Sequence, residues 1–243
     1  MRRLYLYGAG LTILCLAQVR FVVAQNFGDW SAFQSAGATV GTRALLDPVL
    51  HARWQSAHHV AQSTFPYLPG AAWALVPFAH LPAAAGYAIN FVLMAAAALA
   101  AALLAAKIYN LPRDVTAVTA FAWAPLVAGL ATGQNAPMGL LLCVCAIAGL
   151  ARRSSLVVGL ACGALLYKPL FALPLLLLLA VRREWRALGI AAVCGGMWYL
   201  LGVAATAGQW TWPVQYASAI RGYALHDFHI NAVKAIGIPQ LLM

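Results

Sequence analysis

Between Arg152-Arg153 and Arg182-Arg183 runs the stretch SSLVVGLACGALLYKPLFALPLLLLLAV, residues 154–181. Its only charge is Lys168, and a bilayer core is spanned by roughly 20 apolar residues. Lys168-Pro169 stands near the middle. Proline has no amide donor and turns the residue before it away from the helical region. With arginine pairs at both ends that must share one side of the membrane, the run reads as a helical hairpin of two arms, about 14 residues each, with Lys168-Pro169 at the tip. Arms that short imply a cavity or a thinned bilayer. Arginine pairs flanking apolar runs face the cytoplasm by the positive-inside rule, which puts Lys168 at the outer tip.

The rest of the chain has the same character. Of 243 residues 64% are apolar and 8% charged, and mean hydropathy is +0.82. Soluble domains carry about 25% charge, so a soluble globular enzyme, a disordered chain and a disulfide-stapled secreted domain are all excluded. Fifteen Lys and Arg against five Asp and Glu give a net charge of +10. Those cations sit at the ends of apolar runs, where they set topology and meet anionic headgroups rather than nucleic acid. Cys15, Cys143, Cys145, Cys162 and Cys194 all lie inside apolar stretches and read as packing residues.

Working outward, the apolar runs are Leu4–Ala24, Ala83–Ala106, Val115–Thr132, Ala136–Ala151 and Ala187–Ala207. With the hairpin they predict an all-α polytopic membrane protein of about seven or eight membrane-embedded helices, in a single transmembrane domain covering residues 1–243. Leu4–Ala24 reads as a retained anchor, because Arg20 and the later spans argue against a cleaved signal peptide. The basic clusters Arg2/Arg3, Lys107/Arg113, Arg152/Arg153 and Arg182/Arg183/Arg186 face the cytoplasm. The polar loops 25–64 and 208–234 then face outside. This scheme needs Phe65–Pro82, with four prolines, to be re-entrant or interfacial; a full span with Lys107 and Arg113 outside is the alternative. Within the first loop, Trp30–Val40 and Pro48–Val60 read as short amphipathic helices lying on the membrane surface.

Several residues could carry chemistry. Asp29, just beyond the first span, suits a general base acting on a lipid-borne substrate; it also suits a helix N-cap. Asp47-Pro48 reads mainly as an N-cap with proline at N1, which makes Asp47 a secondary acidic candidate. His51, His58 and His59 read as solvated loop histidines, and no metal site is expected. Lys168 can hold a phosphate as a point charge or snorkel to the interface. Gly133-Gln134-Asn135 is either a turn with capping amides or a site where Gln134 and Asn135 bind sugar hydroxyls or phosphate oxygens. There is no Walker A sequence, no G-x-G-x-x-G after a strand, no H-E-x-x-H and no D-x-D. A cytoplasmic nucleotide sugar is therefore a poor fit for an outward-facing site, and no cofactor is expected.

These features fall in an order that resembles glycosyltransferase family 87, membrane glycosyltransferases of the GT-C type. The matching residues are Gly28-Asp29-Trp30 with Ala36-Gly37, Leu46-Asp47-Pro48, Phe65-Pro66-Tyr67-Leu68-Pro69, Val76-Pro77-Phe78 with Leu81-Pro82, and Gly133-Gln134-Asn135. Val158-Gly159-Leu160, Leu166-Tyr167-Lys168-Pro169 and Arg182-Arg183-Glu184-Trp185-Arg186 complete the set. The resemblance covers roughly residues 25–190. The family's double proline after the aromatic is Leu68-Pro69 here. Family members are usually longer, so the resemblance implies further spans after Met243.

It also implies a GT-C-like fold and an acidic catalytic base in the first outer loop, here Asp29. The implied partners are a polyprenyl-phosphate-linked sugar donor, mannose- or arabinose-like, and an envelope lipid or glycan acceptor. The implied place is the cell membrane, with the active site outside. Lys168 is the first candidate to stabilise the leaving phosphate, with Arg20 and Arg221 as others. Asp29, Tyr67 within Phe65–Pro69, Gln134 and Lys168 are expected to converge. The competing readings are a lipid or solute transporter or flippase, and a non-catalytic membrane remnant. Broken helices would suit transport, but no internal repeat is visible.

Overall fold

The computed structural model describes residues 29–60 and 63–231, with Ile13 and Arg20; the expected first span Leu4–Ala24 otherwise lies outside the described residues. Those residues form helices and connecting turns, with no strand among them. In chain order the α-helices are α1 (Trp30–Thr39), α2 (Pro48–Ala57), α3 (Val76–Ala79), α4 (Ala83–Tyr109), α5 (Arg113–Ala122) and α6 (Ala124–Ala131). They continue with α7 (Ala136–Ala151), α8 (Ser155–Leu165), α9 (Pro169–Val181), α10 (Trp185–Ala205) and α11 (Trp212–Asn231). Short 3-10 helices at Arg43–Leu45 and Pro69–Leu75 complete the order.

Proline sets many of these boundaries. It stands at the first or second position of α2, the Pro69–Leu75 turn, α3, α6, α7 and α9. There its missing N–H has no helical acceptor to lose. In a chain with few charged caps, this is how long apolar sequence is divided into pieces.

By length and hydropathy, α4 and α10 can each cross a bilayer; α5 and α6 together make a third candidate, bent by 67°. The expected straight span Val115–Thr132 is thus broken. The break falls at Trp123, whose backbone is extended just before Ala124-Pro125. Pro69–Ala79, α7, α8 and α9 are shorter apolar helices. The hairpin is present. α8 and α9 fold back on each other, since Leu179 near the end of α9 shares a core with Val158 near the start of α8.

Helix directions follow from a few contacts. Asn90 of α4 donates to the Gly133 carbonyl just ahead of α7, so these helices run the same way. About 27 Å further on, Lys107 of α4 and Arg152-Arg153 after α7 reach one end. α8 returns, α9 descends to Arg182-Arg183, and α10 rises again. The basic groups Lys107/Arg113, Arg152/Arg153 and Arg182/Arg183/Arg186 therefore gather at one end of the bundle. The turns Gly133–Asn135 and Tyr167–Lys168 lie at the other, joined by Tyr167 Oη donating to the Asn135 carbonyl at 3.2 Å.

The Phe65–Pro82 segment begins and finishes at that second end. The Leu68 amide donates to the Tyr167 carbonyl at 3.1 Å, and Gln34 donates to the Leu81 carbonyl at 2.8 Å. Both ends of the proline-rich segment are thus bonded at the same end of the bundle. Two further expectations are corrected. Helix α1 does not lie on a surface: every residue except Ala38 is buried, with Phe33 among aromatic rings and Gly37 against the Leu75 carbonyl. The stretch 208–234 is not simply a loop, because α11 occupies most of it. Tyr216 there donates to the Pro66 carbonyl at 3.2 Å.

Close packing in the middle depends on glycine. Gly159 and Gly163 are four apart on α8 and both face α10. A Cβ on Gly163 would sit 2.5 Å from Cys194 Cβ, and one on Gly159 would sit 2.6 Å from Ile190 Cβ. Small residues at i and i+4 let helix backbones approach, which replaces the missing hydrophobic drive in lipid. Two outcomes are expected. Gly163→Ala lowers stability in detergent by about 2 kcal/mol through overpacking. Gly196→Ala, whose added Cβ meets nothing within 4 Å, gains about 0.5–1 kcal/mol of helix propensity. Thermal unfolding of the two variants checks this. Single cysteines at Thr64 and Gln209 should label from one side of intact cells, and those at Arg153 and Arg183 from the other.

Candidate functional site

Asp29 begins the site. It precedes α1 at the N-cap position, yet its side chain makes no capping hydrogen bond. Its Oδ2 instead accepts from Gln134 Nε2 at 2.9 Å, across 105 residues of sequence. Asp47 behaves oppositely: its Oδ1 accepts from the amides of Val49 at 2.9 Å and Leu50 at 3.1 Å and starts α2. The two carboxylates are thus separated by geometry into one turned toward the site and one occupied as a cap.

Gln134 is delivered by a tight turn. Gly133 has φ +77°, in the left-handed region that favours glycine. A Cβ there would come to 3.1 Å from Trp30 Cβ and 3.4 Å from the Tyr87 ring. The turn is fixed from α4: Asn90 Nδ2 donates to the Gly133 carbonyl at 2.9 Å, and Tyr87 Oη donates to the Ala131 carbonyl. Trp30, fully buried, fills the angle between them, with Phe78 edge-on at 5.4 Å. Asn135 follows at the start of α7. Its backbone carbonyl takes the Tyr167 hydroxyl, while its buried Oδ1 has no hydrogen-bond partner.

Lys168 completes the cluster. Its ammonium is 4.4 Å from the centre of the Phe171 ring and 5.3 Å from that of Tyr67. Tyr67 is buried; it stacks on Tyr167 at 5.9 Å and meets Phe33 at 5.3 Å. Tyr67 therefore supports the lysine as a cation–π shelf. Burial pulls the Lys168 pKa down from its ordinary value, and the Asp29 carboxylate pulls it partly back up.

The structure brings Asp29, Gln134, Asn135, Tyr67 and Lys168 together at one end of the bundle. Arg20 and Arg221 are exposed and make none of the contacts just described.

One residue departs from its sequence reading. His51 is not a solvated loop histidine: it is buried, with Nε2 2.5 Å from Ser35 Oγ. His58, by contrast, is exposed and stacks on Trp54 at 3.9 Å, and His59 is exposed. The signal for His51 was its spacing: His51 and Gln55 are four apart and share one face of α2.

Helices long and apolar enough to cross a bilayer, with a half-buried lysine and a carboxylate gathered at one end, mark a membrane protein with a polar cluster at that end. The sequence model of glycosyltransferase family 87 matches residues 65–232, and the chain belongs to that family; it is a glycosyltransferase. Gln134, Lys168 and Arg221 lie within the matched stretch, and Asp29 precedes it. No curated protein and no solved structure matches the chain.

Burial lowers the His51 pKa to about 4, partly opposed by the Ala32 carbonyl. Unfolded histidine titrates near 6.5, so the folded form binds this proton more weakly. Its contribution to stability is complete above pH ~6.5 and is lost as pH falls toward 4. In a detergent-solubilised preparation, Tm should fall several degrees more between pH 7.5 and 4.5 for the wild type than for His51→Gln.

Proposed function

We propose that the chain transfers a sugar from a polyprenyl-phosphate donor to a lipid or glycan acceptor at the outer face of the cell membrane. The carrying observation is a carboxylate that does not cap its helix and is held by Gln134, at the same end of the bundle as a half-buried lysine on the Tyr67 and Phe171 rings. Asp29 takes the proton of the acceptor hydroxyl as that oxygen bonds to the anomeric carbon. The bond from that carbon to the phosphate oxygen breaks, and the phosphate leaves with the electron pair. The diester donor thereby becomes a monoester with one more negative charge. Lys168 stabilises that growing charge, as preorganised cations do in water-poor sites. Direct displacement inverts the anomeric centre.

Gln134 orients the carboxylate, and Asn135, with an unpartnered side-chain oxygen, is positioned to receive a sugar hydroxyl. Sidedness rests on charge. Seven cations, Lys107, Arg113, Arg152, Arg153, Arg182, Arg183 and Arg186, gather at the end opposite Asp29. By the positive-inside rule that end is cytoplasmic.

The test uses membranes containing the chain and a radiolabelled polyprenyl-phosphate sugar. Asp29→Asn keeps the size of the side chain and can still accept from Gln134, but it cannot take a proton. Transfer should drop about 10²–10⁴-fold with expression and donor binding nearly intact. Lys168→Met should weaken donor binding as well as turnover. Asp47→Asn, which still caps α2, should leave transfer within about twofold. Full transfer by Asp29→Asn rejects the assignment of the base.

A further inference from the structure

Ser35 lies on α1, six residues beyond Asp29, and is fully buried. Its hydroxyl has one proton to give, and it is shared between the Ser31 carbonyl at 2.7 Å and the Ala32 carbonyl at 3.2 Å. From α2, His51 Nε2 at 2.5 Å and Gln55 Nε2 at 3.0 Å also contact Ser35 Oγ. Gln55 then reaches further. Its Nε2 donates to the Ser63 carbonyl at 2.8 Å, and its Oε1 accepts from the Ser63 amide at 3.0 Å. Two bonds to one backbone unit hold the chain just before Phe65–Pro69. That segment carries Tyr67, the shelf under Lys168.

The network thus has two arms. One grips the helix that presents the carboxylate, and the other grips the strap that supports the lysine. All three side chains are buried.

We propose that Ser35, His51 and Gln55 are positioning residues for sugar transfer: through α2 they fix the spacing between Asp29 and Lys168. This rests on the reading of Asp29 as base and Lys168 as phosphate holder. Loss of the network lets α1 and the Phe65–Pro69 strap shift independently. Misplacement of reacting groups by about 1 Å can cost 10²-fold in rate, while the donor's own contacts persist. The loss therefore falls on kcat rather than on KM.

The experiment compares Gln55→Leu, His51→Leu and His51→Gln in the full chain, with the radiolabelled donor. Gln55→Leu and His51→Leu should lower kcat about 10- to 100-fold and leave donor KM within about twofold. His51→Gln keeps a donor toward Ser35 and should restore most of the rate. In an Asp29→Asn background, Gln55→Leu should cost clearly less than in the wild type, because part of its effect passes through Asp29. A second readout needs no activity. In an Asp29→Cys/Gln134→Cys protein lacking its other cysteines, oxidative crosslinking between positions 29 and 134 should slow at least about fivefold on adding Gln55→Leu. Unchanged kcat, a loss carried by KM, an equal loss in the Asp29→Asn background or unchanged crosslinking each overturns the proposal. Failure of the base assignment shows itself separately, as full transfer by Asp29→Asn alone.

Discussion

The architecture depends on burying one polar helix. α1 contains Ser31, Gln34, Ser35 and Thr39, all buried, and polar groups removed from water are costly unless bonded. The helix supplies some of the bonds itself: Ser35 and Thr39 donate to carbonyls one turn back. The rest come from outside. Gln34 binds the Phe65–Pro82 segment through Leu81, and Ser35 binds α2. Each bond that satisfies a buried group therefore also attaches α1 to another part of the chain. The aromatic cluster of Trp30, Phe33, Phe65, Tyr67, Tyr87 and Tyr167 closes over the same place. Asp29 is held where it is because the helix behind it can sit in only one way.

Much of this was legible from sequence. Arg153 and Lys168-Pro169 marked the hairpin, since charge and proline are costly within apolar helix. The prolines of Phe65–Pro82 marked a broken segment whose two ends are bonded at one end of the bundle. Asp29, Gln134 and Lys168 each interrupted or bordered an apolar run, and they meet. The failures share a cause: local pattern does not report what lies opposite. Trp30–Val40 has polar residues at helical spacing, which suits a surface helix or a buried one with partners. His51 looked solvated because its partner, Ser35, is sixteen residues away. The break at Trp123 was present as Ala124-Pro125, but mean hydropathy hides a single proline. The Gly159–Gly163 pair was also readable as a close-packing signal, and only the facing Ile190 and Cys194 show which helix it serves.

Two neighbouring carboxylates illustrate how one residue type is given two tasks. Asp47 has free amides of a new helix within reach, so its oxygen is committed to backbone. Asp29 has backbone dihedrals of φ −64° and ψ −24°, already helical. An N-cap side chain reaches back to the helix amides from an extended backbone, and this one is turned away. A glutamine from a distant turn holds it instead. The difference is a backbone torsion, and no inspection of residue type would find it.

The unequal lengths of α8 and α10 have a consequence for the molecules that reach Lys168. The two helices run in parallel, and Trp198 Nε1 donates to the Gly163 carbonyl at 2.9 Å. Gly159 and Gly163 face Ile190 and Cys194, a constant offset that sets Lys168 level with Tyr199, and α10 continues to Ala205. At 1.5 Å per residue the Lys168 backbone lies about 9 Å short of the end of its neighbour. An anion that pairs with Lys168 from beyond the end of α10 must pass that distance and shed water as it goes. One carried on an apolar stem can do so beside the apolar helices; one on a freely dissolved molecule must leave its own solvent. Depth itself becomes a filter, selecting partners by how far below the end of α10 they can place a charged atom.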